Sequence, residues 1–256
     1  MGAKTGVIAY SSPGNPLPRL LRTPGRPDET ATRALIERSF PGWHITQAEP
    51  GNLLDHIRPP EDLAYATSFP GVDLVCCDHF MIDNPSQLPA HLIEAGRGRR
   101  LVLHAMHSVV DWLAFAVWED GRLIRSLSLS PDSGVIENLG DPFPFELPYW
   151  NGEHPVLPTP GRPDEGPYPL PFHPLELGED ALRELLGFTI EGSIEPDDAE
   201  PEDVELLGFT VIDPDGPAPE ERRAQTEELT AQMGEPRIFR YQPDGSVKEV
   251  TWDDLG

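Results

Sequence analysis

Apolar residues along this chain fall in short runs with the two-residue period of strands, interrupted by Pro and Gly, and few stretches carry a helical period. TGVIAY (5–10) predicts a strand; after a proline-rich loop, DETATRALIERSFPG predicts a helix with Asp28 as N-cap and Pro41-Gly42 as its stop. WHITQAE (43–49), LAYATS (63–68) and VDLVCC (72–77) predict strands, the last two separated by a Pro70-Gly71 turn. PSQLPAHLIEAGRG predicts a helix ending near Gly96, with Pro89 in its first turn. RLVLHAMH (100–107) is apolar almost throughout, the pattern of a strand covered on both faces.

The sharpest local signal is DWLAFAVWEDGRLIRSLSLS, where Asp120-Gly121 predicts a two-residue hairpin turn. That turn sets a register: Glu119 opposite Arg122, Trp118 opposite Leu123, Val117 opposite Ile124, Ala116 opposite Arg125 and Phe115 opposite Ser126. Ser126 and Ser128 then share a face with Phe115 and Val117, and Arg125 shares the other with Trp118. A second hairpin, RIFRYQPDGSVKEVTW, is predicted around Asp244-Gly245.

Between the hairpins, residues 141–175 are too proline-rich for regular structure and too aromatic for free disorder, so they predict an ordered wrap. A helix is expected at 179–187, with Ala181, Leu182, Leu185 and Leu186 on one face, followed by an acidic linker. GPAPEERRAQTEELTAQMG predicts a mostly polar helix. The expected organisation is one α+β domain over residues 1–212, a mixed and mostly antiparallel sheet with helices chiefly on one side. Residues 213–256 are expected to form an acidic C-terminal extension with a helix and a hairpin.

Composition narrows the partners. Across 256 residues the chain carries 44 acidic and 19 basic side chains, a formal charge of −25, which argues against nucleic acid. The excess is steepest from Pro174 onward, a surface suited to a basic protein partner. Cys76 and Cys77 are adjacent, so a bond between them would be strained; two reduced thiols point to the cytoplasm. No window reaches the roughly 18 apolar residues of a membrane span, and MGAKTGVIAY lacks an export signal's basic and apolar regions, so no membrane partner is expected.

Five segments carry a resemblance: MGAKT, FPGVDLVC (69–76), LHAMHSVVDWLAFAVWEDGRLIRSLSLSPDSGV (103–135), PFELPYWNGEHPV (144–156) and YPLPFHPLELGEDALRELLGF (168–188). Through them the chain resembles a family of uncharacterised actinobacterial proteins, a domain of unknown function, over most of residues 1–210. The resemblance implies no activity, cofactor or catalytic set.

Candidate chemistry centres on LHAMHSVVDW (103–112). In a strand, His104 and His107 point to opposite faces, so the pair alone does not chelate. If the strand ends before Ser108, His107 and Asp111 could join His154 and His173 around zinc or another divalent metal, giving a metal-dependent hydrolase. The plain alternative makes His104 a hydrogen-bonded core residue and His107 with Asp111 part of a turn. Ser130, within the series Ser126, Ser128, Ser130 and Ser133, is a candidate nucleophile with His107 as base, although no strand-to-helix nucleophile elbow surrounds it. Glu146, with Glu137 and Glu153 beside Tyr149 and Trp150, is a candidate acid or base at an aromatic sugar platform; the alternative leaves those carboxylates in water. The reading favoured by charge and absent motifs is a non-catalytic cytosolic binding or regulatory protein, immunity-like, whose acidic surface engages a basic partner.

Overall fold

The computed structural model describes residues 4–12, 14, 16–157, 168–217, 238–241 and 247–250. They fall into two units: residues 1–155 with 169–213, and residues 156–168 with 214–256. In the second, Ile238–Tyr241 and Val247–Val250 form an antiparallel pair with Tyr241 opposite Val247, flanking the predicted hairpin. Its Asp244-Gly245 turn and the expected polar helix lie outside the described residues.

The first unit is built on a nine-stranded sheet: β1 (Lys4–Ser11), β2 (His44–Asn52), β3 (Leu63–Phe69), β4 (Val72–Cys77), β5 (Arg100–His107), β6 (Trp112–Glu119), β7 (Arg122–Ser130), β8 (Gly134–Leu139) and β9 (Glu205–Ile212). The spatial order is β2-β9-β3-β4-β1-β5-β6-β7-β8, and every pairing is antiparallel, so the α+β class holds while the expected mixed sheet does not.

The helices α1 (Leu17–Leu21), α2 (Glu29–Ser39), α3 (Leu53–His56), α4 (Ala90–Ala95), α5 (Leu147–Trp150) and α6 (Pro174–Leu186) do not gather on one side. Leu35 and Ile36 of α2 and Leu92 of α4 pack on the face carrying Ile8, Leu101, Leu103, Ala114 and Ala116. The opposite face is covered by α6: a Cβ added at Gly178 would come within 2.8 Å of Met106 Sδ and 3.2 Å of Leu113 Cδ1. Helices on one side was therefore the wrong expectation. Successive residues of β5 and β6 are apolar and buried at both parities, so each face needs its own cover.

Local chemistry explains the helix ends. Asp28 Oδ1 accepts the Ala31 N–H at 2.9 Å and starts α2. Pro89 stands outside α4 as its N-cap, splitting the expected long helix into a 3-10 turn (Pro85–Gln87) and α4. Helix α6 begins five residues before the expected start, because Pro174 occupies a first-turn position where its missing N–H costs nothing. It stops at Gly187, whose φ of 90° closes bonds to Leu182 O and Arg183 O.

Asp120 and Gly121, with φ of 50° and 75°, make the predicted β6–β7 turn. Only the first two predicted pairs persist. A β-bulge at Ile124 shifts the register, so Val117 faces Arg125, Ala116 faces Ser126 and Phe115 faces Leu127. One extra residue exchanges the faces: Arg125 now lies on the α6 side, and Ser126, Ser128 and Ser130 lie on the α2 side. The chain leaving the next strand presses close to this bulge at Gly140, where φ is 81° and a Cβ would lie 2.1 Å from Ile124 O. Gly140→Ala is expected to lower stability by about 2 kcal/mol or more, read from the urea midpoint; an unchanged midpoint would mean that the bulge is not held there.

Candidate functional site

Register places the His107, Trp112 and Ser130 positions side by side at one end of the sheet on the α2 face: His107 pairs with Trp112, and Leu113 with Leu129 one step inward. With Met81, Asp83, Val110, Asp132, Ser133 and Ile136 they line a cleft of about 350 Å³. His107 Nδ1 accepts the Val109 N–H at 3.2 Å, so a neutral ring carries its proton on Nε2. Burial, then the Lys4 and Arg58 charges, lower the pKa of this ring and favour that neutral form. Ser130 Oγ accepts the Ser133 N–H at 3.1 Å. The predicted nucleophile and base therefore share a cleft, but His107 in this state offers a proton rather than a lone pair.

His104 leaves β5 on the other face, as odd spacing in a strand requires. It is fully buried, with Nδ1 2.9 Å from Thr5 Oγ1 and Nε2 3.0 Å from Gly178 O. A carbonyl only accepts, so Nε2 donates and the Thr5 hydroxyl donates to Nδ1. Burial lowers the pKa of the ring to about 4, against a smaller opposing effect of the Gly178 carbonyl.

The four residues proposed as metal ligands divide between two places. Asp111 sits in the β5–β6 turn at φ 47°, with Oδ2 3.5 Å from His173 Nε2. His154 stacks on Tyr149 with ring centres 4.1 Å apart. His154 and His173 line a second cleft of about 640 Å³ with Glu176, Glu179, Asp180 and Arg183, while His107 lines the first. Among the described residues, no group of three or more His, Cys, Asp or Glu side chains is arranged to hold a metal ion.

Glu146 is neither a wet carboxylate nor part of an open acid/base pair. It is fully buried and clamps Arg125, with Nε to Oε1 at 2.9 Å and Nη2 to Oε2 at 2.6 Å, and it accepts the Phe143 N–H at 2.8 Å. Glu137 accepts from the Ser86 backbone at 3.0 Å and from the Ser86 and Ser126 hydroxyls. Both carboxylates tie chain segments to the sheet. Sequence reasoning missed the Arg125–Glu146 pair because the assumed register placed Arg125 on the other face.

The second cleft has a braced rim. Glu179 accepts the N–H groups of Ile190 at 2.8 Å, Glu191 at 3.2 Å and Gly192 at 3.3 Å, and Arg183 donates to Ser193 O and to Asp198. The loop so held presents Ile194, 65 % exposed, beside the exposed Glu191 and Glu195. Asp180 accepts from the Tyr149 hydroxyl at 2.6 Å, fixing the aromatic wall.

Among the described residues no helix is long and apolar enough to cross a membrane. No curated protein and no solved structure matches the chain. Residues 5–209 match the sequence profile of a family of unknown function, DUF6928, and these residues include the whole nine-stranded sheet except its first and last margins. The chain thus belongs to the DUF6928 family of unknown function.

Proposed function

We propose that this protein is a non-catalytic cytosolic binding protein whose acidic surface, centred on the cleft beside α6, engages a basic protein partner. The observation that carries this reading is the braced loop holding an exposed Ile194 beside Glu191 and Glu195, with Glu176 exposed on the same cleft. An apolar anchor within an anionic rim suits a partner surface of mixed apolar and Arg or Lys side chains. Glu179 and Arg183 hold the loop beforehand, so little ordering cost falls on binding. The cytosolic placement rests on Cys76 and Cys77, both free, buried and held as thiols by burial, which lifts the pKa of Cys77 to about 12.

A labelled peptide of alternating Arg and Leu tests this by fluorescence anisotropy at low and moderate salt. Replacing Glu176, Glu191 and Glu195 together by Gln is expected to weaken binding about tenfold at low salt, and Ile194→Ala about fivefold. Replacing the distant, exposed Glu29 and Glu49 by Gln serves as the control. Equal losses in control and cleft variants, or affinity insensitive to salt, would refute the reading.

A further inference from the structure

The cleft at His107 lies on the opposite face of the sheet from the acidic site and offers a different chemistry. Its donors are uncharged. The neutral His107 ring keeps an N–H at Nε2, and the Ser130 hydroxyl retains its hydrogen after accepting from Ser133. Trp112, only 7 % exposed, has an indole N–H without an acceptor among the described residues. A buried donor left in that condition costs free energy until something accepts from it. Facing these donors are two exposed carboxylates from separate turns, Asp83 and Asp132. Met81, Val110 and Ile136 supply apolar wall between them, and Val109, 64 % exposed, lies in the adjoining β5–β6 turn.

Charge balance eliminates most ligand classes. Among the lining residues a phosphate or carboxylate would meet only neutral donors and two carboxylates that repel it. The Lys4 and Arg58 charges felt at His107 lie outside that lining, and Arg58 is paired with Asp78 at 2.7 Å. An ammonium group would satisfy the carboxylates and leave the N–H and O–H donors without acceptors. Hydroxyl groups both donate and accept, so a neutral polyol serves the two halves together, and its C–H faces match the Met81, Val110 and Ile136 wall. A cleft of about 350 Å³ is at the small end of ligand sites. We propose that the His107, Trp112, Ser130 and Asp132 cleft binds a neutral, hydroxyl-rich small molecule of monosaccharide size. With its Nδ1 lone pair taken by Val109, His107 positions this ligand and does not activate Ser130.

The test uses the full chain, with methyl glucoside, methyl galactoside, methyl mannoside and myo-inositol as probes, followed by ligand-observed NMR and calorimetry. At least one neutral probe is expected to bind with a Kd of about 1–10 mM, about tenfold tighter than glucose 6-phosphate or butylamine. Asp132→Asn, on an exposed turn, is expected to weaken that probe about fivefold without moving the unfolding midpoint. Trp112→Phe keeps an aromatic ring but removes the indole N–H, and is expected to weaken that probe likewise, with a lower unfolding midpoint because Trp112 belongs to the core. Absence of binding by all four neutral probes at about 50 mM would overturn the proposal. So would tighter binding of the phosphate or the amine, or full affinity in the Asp132→Asn variant. None of these outcomes bears on the acidic cleft.

Discussion

Glu146→Ala is expected to destabilise the protein by about 3–5 kcal/mol, measured as ΔG of urea unfolding at pH 7. Arg125 and Glu146 are both 0 % exposed, so removing the carboxylate leaves a guanidinium in a dry interior without its counter-charge. The remaining partners of Arg125 are neutral: Asn138 Oδ1 at 2.6 Å, Leu139 O at 3.0 Å, and Ser126 O and Gly140 O at 3.3 Å. They satisfy hydrogens but do not offset the charge. Replacing both members, as in Arg125→Met with Glu146→Leu, is expected to recover most of the loss, because desolvating an ion pair costs about as much as the pair returns. A single-variant loss below about 1 kcal/mol would show that water reaches the pair.

The second large effect is a dependence of stability on pH through His104. Its folded pKa is about 4, and an unfolded imidazole titrates near 6.5. Above pH 6.5 the ring is neutral in both states and the Thr5 and Gly178 bonds contribute fully. As pH falls from 6.5 toward 4, the unfolded chain takes up a proton that the folded ring refuses, so stability is lost across that window and levels off below it. The difference corresponds to roughly 3 kcal/mol. His104→Gln retains a donor and an acceptor but does not titrate. Between pH 7 and 4 the wild type is expected to lose roughly 3 kcal/mol more than this variant in urea unfolding. Parallel pH profiles would mean that the folded ring protonates freely. Carboxylate titrations are common to both proteins and cancel in the comparison.

Much of the local structure was legible. Asp28 capping α2, the Asp120-Gly121 turn, and the buried strand at Arg100–His107 follow from side-chain chemistry within a few residues. The α+β class follows from the same runs. Five of the labelled elements escaped notice: α1 inside a proline-rich stretch, α3 directly after β2, β8 after the SPDSG turn, α5 inside the wrap expected to lack regular structure, and β9 beyond the acidic linker. Strand β9 pairs with β2 and β3, more than a hundred residues earlier, and no local period announces such a partner. The candidate site was legible in part. His107 and Ser130 share a cleft, whereas Glu146 required the knowledge that Arg125 faces it.

By itself the sequence determined which segments are extended, where the chain turns, that His104 and His107 point apart, and that the surface is strongly acidic. Turn chemistry, strand alternation and net charge depend only on neighbours or on totals. The tertiary structure alone decided that helices cover both faces, that one bulged residue moves Arg125 toward Glu146 and the serines toward His107, and that Ile194 stands exposed in a loop whose neighbours line a cleft. These depend on register and packing between segments far apart in the chain, where a shift of one residue reverses every side chain that follows.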